Sequence, residues 1–129
     1  MSGTGSVVGI APAPGQKVHA FLWRGGVLRD LGTLPGGDGF SWAYGVNGSD
    51  QAVGLATVAG GQTDHRNRAV LFENGVAVDL NTRVVNLPAS VSLYSANAIS
   101  DSGVIVGNGC VLPCNPFGFT GNAFMLVPL

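Results

Sequence analysis

His19-Ala20-Phe21-Leu22-Trp23-Arg24-Gly25-Gly26-Val27-Leu28-Arg29-Asp30-Leu31 returns about 49 residues later as Arg68-Ala69-Val70-Leu71-Phe72-Glu73-Asn74-Gly75-Val76-Ala77-Val78-Asp79-Leu80, a spacing that marks a repeat architecture. Each copy is a short run of aliphatic, β-branched and aromatic residues, a glycine-containing pair, and a second short run. Runs of this kind, bounded by Gly, Asn and Asp, are the signature of strands. Gly25-Gly26 and Asn74-Gly75 offer the positive-φ residues that a two-residue hairpin turn demands. The first half recurs once more as Asn122-Ala123-Phe124-Met125-Leu126.

Two further elements repeat in the same order. Ser6-Val7-Val8-Gly9, Gln51-Ala52-Val53-Gly54 and Val104-Ile105-Val106-Gly107 share a small-apolar-Gly ending, and Ala43-Tyr44-Gly45-Val46-Asn47 pairs with Ala96-Asn97-Ala98-Ile99-Ser100. Gly36-Gly37-Asp38-Gly39 and Asn47-Gly48-Ser49-Asp50 are further turn clusters. No window keeps a helical period, so the unit is a four-stranded antiparallel sheet, which cannot bury both faces alone. Reading along the chain gives three strands, then four, then three. The expected fold is one all-β repeat domain over residues 1–129, with units near 1–42, 43–95 and 96–129. Stacked four-stranded units describe β-propeller blades, and ten strands are about two and a half of them. On that count two chains would close five blades, so a homodimer or higher ring is expected, the truncated ends completing each other's blades. The alternative is a closed monomer of β-trefoil or β-prism type.

Composition agrees. There are 21 glycines and 7 prolines, while Asp, Glu, Lys and Arg together make only 10% of the 129 residues; a single Lys and a single Glu leave little with which to coat a helix. Hydrophobic residues at 46% and a mean hydropathy of +0.35 demand a core or subunit contacts. Membrane insertion is not expected, because Gly, Pro or a charge interrupts every run well short of about 18 apolar residues. A net charge of −1 provides no field for nucleic acid. The amino terminus, Met1-Ser2-Gly3-Thr4-Gly5, has neither the basic patch nor the apolar helix of a secretory leader.

The ordered set resembles a known family. His19 to Trp23, Gly26, Asp30-Leu31-Gly32-Thr33-Leu34, Gly36-Gly37, Ala43 to Asn47, Val53-Gly54, Asp79-Leu80-Asn81 and Ala123-Phe124-Met125-Leu126-Val127-Pro128 look like the HAF family of probable extracellular repeats. The resemblance spans nearly the whole chain, with departures: Arg68 and Asn122 stand for the eponymous His, Val70 for Phe and Ser100 for Asn. It implies a propeller-like bacterial repeat protein of extracellular or periplasmic location, without established catalytic residues or cofactor.

Candidate chemistry is sparse. Trp42 and Tyr44, with Asp38 nearby, form a sugar-binding constellation, an aromatic face for the ring and a carboxylate for its hydroxyls; Trp23 and Phe40 suit packing between repeats. His65 and Arg66, in a polar loop before a repeat strand, suit an anion or a sugar. Cys110 and Cys114 lie in one Pro-rich stretch and either form a small-loop disulfide or stay as thiols; with only His19 and His65 to join them, no metal site is expected. His19 lacks a nucleophile at any recognisable spacing, and its counterparts Arg68 and Asn122 point to a hydrogen-bonding role. Asp30 and Asp79, recurring at one position, are expected to cap turn amides or to bond the recurrent His or Arg. Gly3-Thr4-Gly5 precedes a strand and prolines, not the helix that a phosphate loop requires. The expected function is a non-enzymatic β-repeat scaffold for binding or self-assembly, its partner a second copy of itself or a glycan or surface polymer. A lectin-like carbohydrate-binding module is the alternative, and a hydrolase of unknown class the second.

Overall fold

The computed structural model describes residues 5–15, 17–34, 39–57, 67–85, 87, 91–111 and 122–128. Within them the chain is all-β apart from one 3-10 turn, Leu80–Thr82. Its strands are β1 (Val7–Ala13), β2 (Lys17–Arg24), β3 (Val27–Gly32), β4 (Ser41–Val46), β5 (Ala52–Thr57), β6 (Asn67–Glu73), β7 (Val76–Asp79), β8 (Val91–Ile99), β9 (Ile105–Val111) and β10 (Asn122–Leu126). They form three antiparallel sheets: sheet I is β1-β2-β3, sheet II is β4-β5-β6-β7, and sheet III is β8-β9-β10. Three, four and three strands are what the repeat order requires.

The repeat is structural down to its register. Gly9 faces Phe21, Gly54 faces Val70 and Gly107 faces Phe124, so the same two elements pair at the same residue in all three sheets. Phe21 faces Asp30 as Val70 faces Asp79. Both hairpins turn on two central residues of positive φ, Gly25-Gly26 at 59° and 86° and Asn74-Gly75 at 55° and 79°. That conformation matches the twist of the strands they join.

In sheets II and III the strand preceding the recurrent glycine carries a bulge. The register of β4 against β5 shifts between Ala43 and Gly45, and that of β8 against β9 shifts between Ala96 and Ala98. The bulge pushes a backbone carbonyl towards the next strand, so a Cβ on Gly54 would collide with Trp42 O and one on Gly107 with Ser95 O. Glycine is the residue that lets the bulge and its neighbour coexist. In sheet I no such strand precedes β1 among the described residues, and a Cβ on Gly9 would meet only the edge of the Phe21 ring, at 3.1 Å.

Sheet II lies between the other two and buries both faces. Alternation along β5 and β6 sends Ala52, Ala56, Val70 and Phe72 into one core with Ala20, Leu22, Leu31 and Leu34 of the sheet I region. Val53, Ala69 and Leu71 enter a second core with Leu93, Ala96 and Ile105 of sheet III. A trefoil or prism would gather its sheets around a single core. Here the two cores lie on opposite faces of one sheet, and no sheet closes into a barrel among the described residues. Alanines at the interface let the sheets approach closely; Gly45 does the same where β4 meets β8, for a Cβ there would stand only 3.1 Å from both Ala98 Cα and Asn97 O.

Polar groups fasten the stack. The buried Ser41 hydroxyl accepts from Ala20 N–H at 2.8 Å and donates to Gly32 O at 2.6 Å, tying sheet II to sheet I. Asn81 does so between sheets II and III, accepting from Leu93 N–H at 2.8 Å and donating to Leu93 O at 2.9 Å.

Gly54→Ala is expected to cost about 3 kcal/mol, because backbone must move, and Gly9→Ala about 1 kcal/mol, because a ring edge can shift. Urea denaturation of the two variants beside the parent checks the contrast.

Candidate functional site

Two equivalent turns build one end of the stack. Asn47 N–H donates to Gln51 O at 3.0 Å and Asp50 N–H to Asn47 O at 3.1 Å, while Ser100 N–H donates to Val104 O at 2.9 Å and Gly103 N–H to Ser100 O at 3.0 Å. Asp50 and Gly103 take the matching positive φ of 60° and 91°, a conformation that Asp tolerates better than most side chains. Asn47, 2% exposed, fills its turn from inside: its Oδ1 accepts from Ser49 and Gln51 N–H, both at 3.0 Å, and its Nδ2 donates to Gln51 Oε1 at 2.8 Å. The same Nδ2 reaches Ser100 O at 3.0 Å, and Asp101 Oδ1 accepts Gly48 N–H at 2.7 Å, so the turns of sheets II and III are stitched together.

Asp50 extends this rim to sheet I. It accepts the Ser6 hydroxyl at 2.6 Å and pairs with the Arg24 guanidinium. The Ser6 hydrogen bond, with help from Arg24 and Arg29 and against partial burial, holds the Asp50 carboxyl below its ordinary value of 3.8.

Beside the rim a groove of about 690 Å³ opens between sheets II and III, a size that suits a small ligand or a short peptide segment. Leu71, Leu80, Ile99 and Ile105 form its apolar part, Met125 and Val127 one margin, and Arg83 and Asp101 its charged groups. No motif in the sequence marks this groove. Val84 and Val85 carry no motif, Ile99 is only an apolar position of a repeat element, and they meet because the sheets stack.

A second, smaller cleft of about 190 Å³ lies on sheet I and is bordered by Phe21, Leu28, His19 and Asp30. His19 Nδ1 lies 2.9 and 3.1 Å from the two Asp30 oxygens. Asp30 also accepts Gly32 N–H at 2.7 Å. Burial opposes its ionisation, but the His19 and Gly32 bonds prevail and its carboxyl titrates below the usual value. The pattern repeats in sheet II, where Asp79 accepts Asn81 N–H at 2.9 Å and faces Arg68 Nε at 3.9 Å. Both aspartates therefore cap an amide two residues on and hold the recurrent cation or imidazole, a structural pairing within each repeat.

The other sequence candidates fare differently. Trp42 stacks on Phe40 with ring centroids 6.2 Å apart, and Lys17 Nζ stands 5.0 Å from the Phe40 centroid. Tyr44 occupies the bulge of β4 and is half exposed; partial burial raises its hydroxyl pKa. Trp23, suited by sequence to packing between repeats, is 41% exposed, because among the described residues sheet I has a neighbouring sheet on one face only. Asp38, His65, Arg66 and Cys114 lie outside the described residues. Cys110 belongs to β9, opposite Ser92, because strand pairing continues past Gly109 into the stretch read as a loop. Among the described residues no group of three or more His, Cys, Asp or Glu is placed to hold a metal ion, and no helix is long and apolar enough to cross a membrane.

Asn47→Ala is expected to cost about 2 kcal/mol, and Asn47→Ser about half of that, since Ser100 shows that a hydroxyl can accept the amide four residues on, at 3.0 Å; chemical denaturation checks the order. For Asp50, whose folded value is depressed, the stabilisation is complete above its ordinary value of 3.8 and fades as pH falls through the folded one. Asp50→Asn is therefore expected to lower stability at pH 7 by up to about 1 kcal/mol, a difference that closes in acid when thermal unfolding is followed against pH. Compared with known proteins, the chain matches no family model, no curated protein and no solved structure.

Proposed function

We propose that this chain is a non-enzymatic β-repeat scaffold that works by binding at its inter-sheet groove and by associating with copies of itself, its sheets arranged as propeller-like blades. The observation that carries this reading is the repetition of the interface. Sheet I packs on sheet II, and sheet II on sheet III, through the same positions of the repeat: Ala20 and Leu22 in the first contact stand where Ala69 and Leu71 stand in the second. An arrangement generated by one repeated step has no natural end within the chain. The HAF-like order of motifs supports the same reading.

Counting sheets in place of strands gives the blade number we favour. Among the described residues sheet I has no counterpart of β4 and sheet III none of β7, which gives three blade-like sheets, two of them a strand short, and on this count two copies would supply six sheets. Simple division of ten strands by four suggested two and a half per chain. A role for His19 as a general base gains no support. Asp30 engages it, and arginine, which does not release its proton in proteins, occupies its position in sheet II. Carbohydrate binding at Trp42 is the weaker reading, because one face of its ring is spent on Phe40.

Light scattering after size exclusion, over a dilution series, tests the self-association. A species of at least twice the chain mass is expected at high concentration. A species of 13.1 kDa throughout would remove self-association from the reading.

A further inference from the structure

The two end sheets expose the faces that the middle sheet buries. On sheet II the face towards sheet I carries Phe72 and Ala77, 1% and 8% exposed; Trp23 and Leu28 hold those positions on the outer face of sheet I and are 41% and 58% exposed. The face of sheet II towards sheet III carries Val53 and Ala69, both fully buried. Their counterparts Val106 and Ala123 lie on the outer face of sheet III, and both are exposed. Each end of the stack thus presents one half of an interface that the chain builds twice internally, and the two halves are complementary by position: sheet III offers what sheet I offers to sheet II, and sheet I offers what sheet II receives.

We propose that the outer face of sheet III of one copy docks on the outer face of sheet I of a second copy, head to tail, continuing the step that packs sheet I on II and II on III. The proposal rests on the self-association read above and names its surfaces. A second copy is the occupant because the matching face is found on this same chain, one sheet interface away from a contact already made. Trp23 and Leu28, with the cleft beside Phe21, would receive Val106 and Ala123, as Phe72 and Ala77 share a core with their counterparts Val8 and Ala20 within the chain. Such a contact is heterologous. It either closes a ring or propagates, and it never pairs a surface with itself.

Mixing of two variants tests it. Trp23→Glu spoils the sheet I face alone and Val106→Glu the sheet III face alone. Each variant by itself is expected to fall to 13.1 kDa in light scattering, while an equimolar mixture recovers a species of two chain masses, one intact face of each kind meeting in a single contact. Circular dichroism and thermal unfolding verify folding, and Leu28→Lys with Ala123→Lys replace either variant that does not fold. If the wild type assembles and one variant alone still does so, or the mixture stays monomeric, the head-to-tail docking is wrong and self-association survives by another surface. A wild type that never exceeds 13.1 kDa overturns both.

Discussion

Adjacent residues of β5 and β6 belong to different cores. Ala52 and Val53 point opposite ways, as do Leu71 and Phe72, and each side finds another sheet of the same chain. A strand places successive side chains on alternate faces, so a sheet that is apolar on both must be covered twice. Everything else in the molecule follows from that double coverage. Sheets I and III are held in place as the two covers, through a core rich in alanine on the sheet I side and in larger aliphatic residues on the sheet III side. The strands of sheet II read as near-continuous apolar runs, as expected of a sheet buried on both faces.

Hydrophobic area sets no register between sheets; hydrogen bonds do. Ser41, Asn47 and Asn81 each link backbone of one sheet or turn to that of the next. A buried donor or acceptor left unmatched is costly, so each of these side chains admits one relative placement of the sheets it bridges. The rim charges act in the same direction. Asp50 gathers Ser6 and Arg24 of sheet I onto a turn of sheet II that Asn47 has already joined to sheet III. Specificity here comes from a few polar contacts laid over an interface that is otherwise small and apolar.

The same economy bears on function. A chain with so few charges and so repetitive an interface has little to distinguish inside contacts from outside ones. Trp23, Leu28 and Met125 remain exposed on the end sheets although their counterparts in sheet II are largely or wholly buried. Large exposed apolar side chains grouped on one face mark contact surfaces. The groove that opens beside the rim runs between sheets II and III, along β10 and the 3-10 turn, and meets the outer face of sheet III at Met125.

Local chemistry made the strands legible without any coordinates. The Gly25-Gly26 and Asn74-Gly75 turns, the spacing of apolar runs and the recurrence of Asp30 as Asp79 are properties of a few consecutive residues, and backbone sterics act at that range. From them came the ten strands, their antiparallel pairing and the capping role of the aspartates. Nothing local indicates that Trp23 is exposed while Phe72, its equivalent, is buried; that depends on how many neighbours a sheet has. Nor does Leu80, Arg83 or Ile99 announce a groove, since no two of them share a strand. Residue pattern alone determined the unit and its repetition, because both arise from alternation and turn geometry along the chain. The tertiary structure decided which copies of the unit are covered, where the ends lie open and where the cavities form, because burial is a property of a residue's surroundings and three sheets of one pattern do not share the same surroundings.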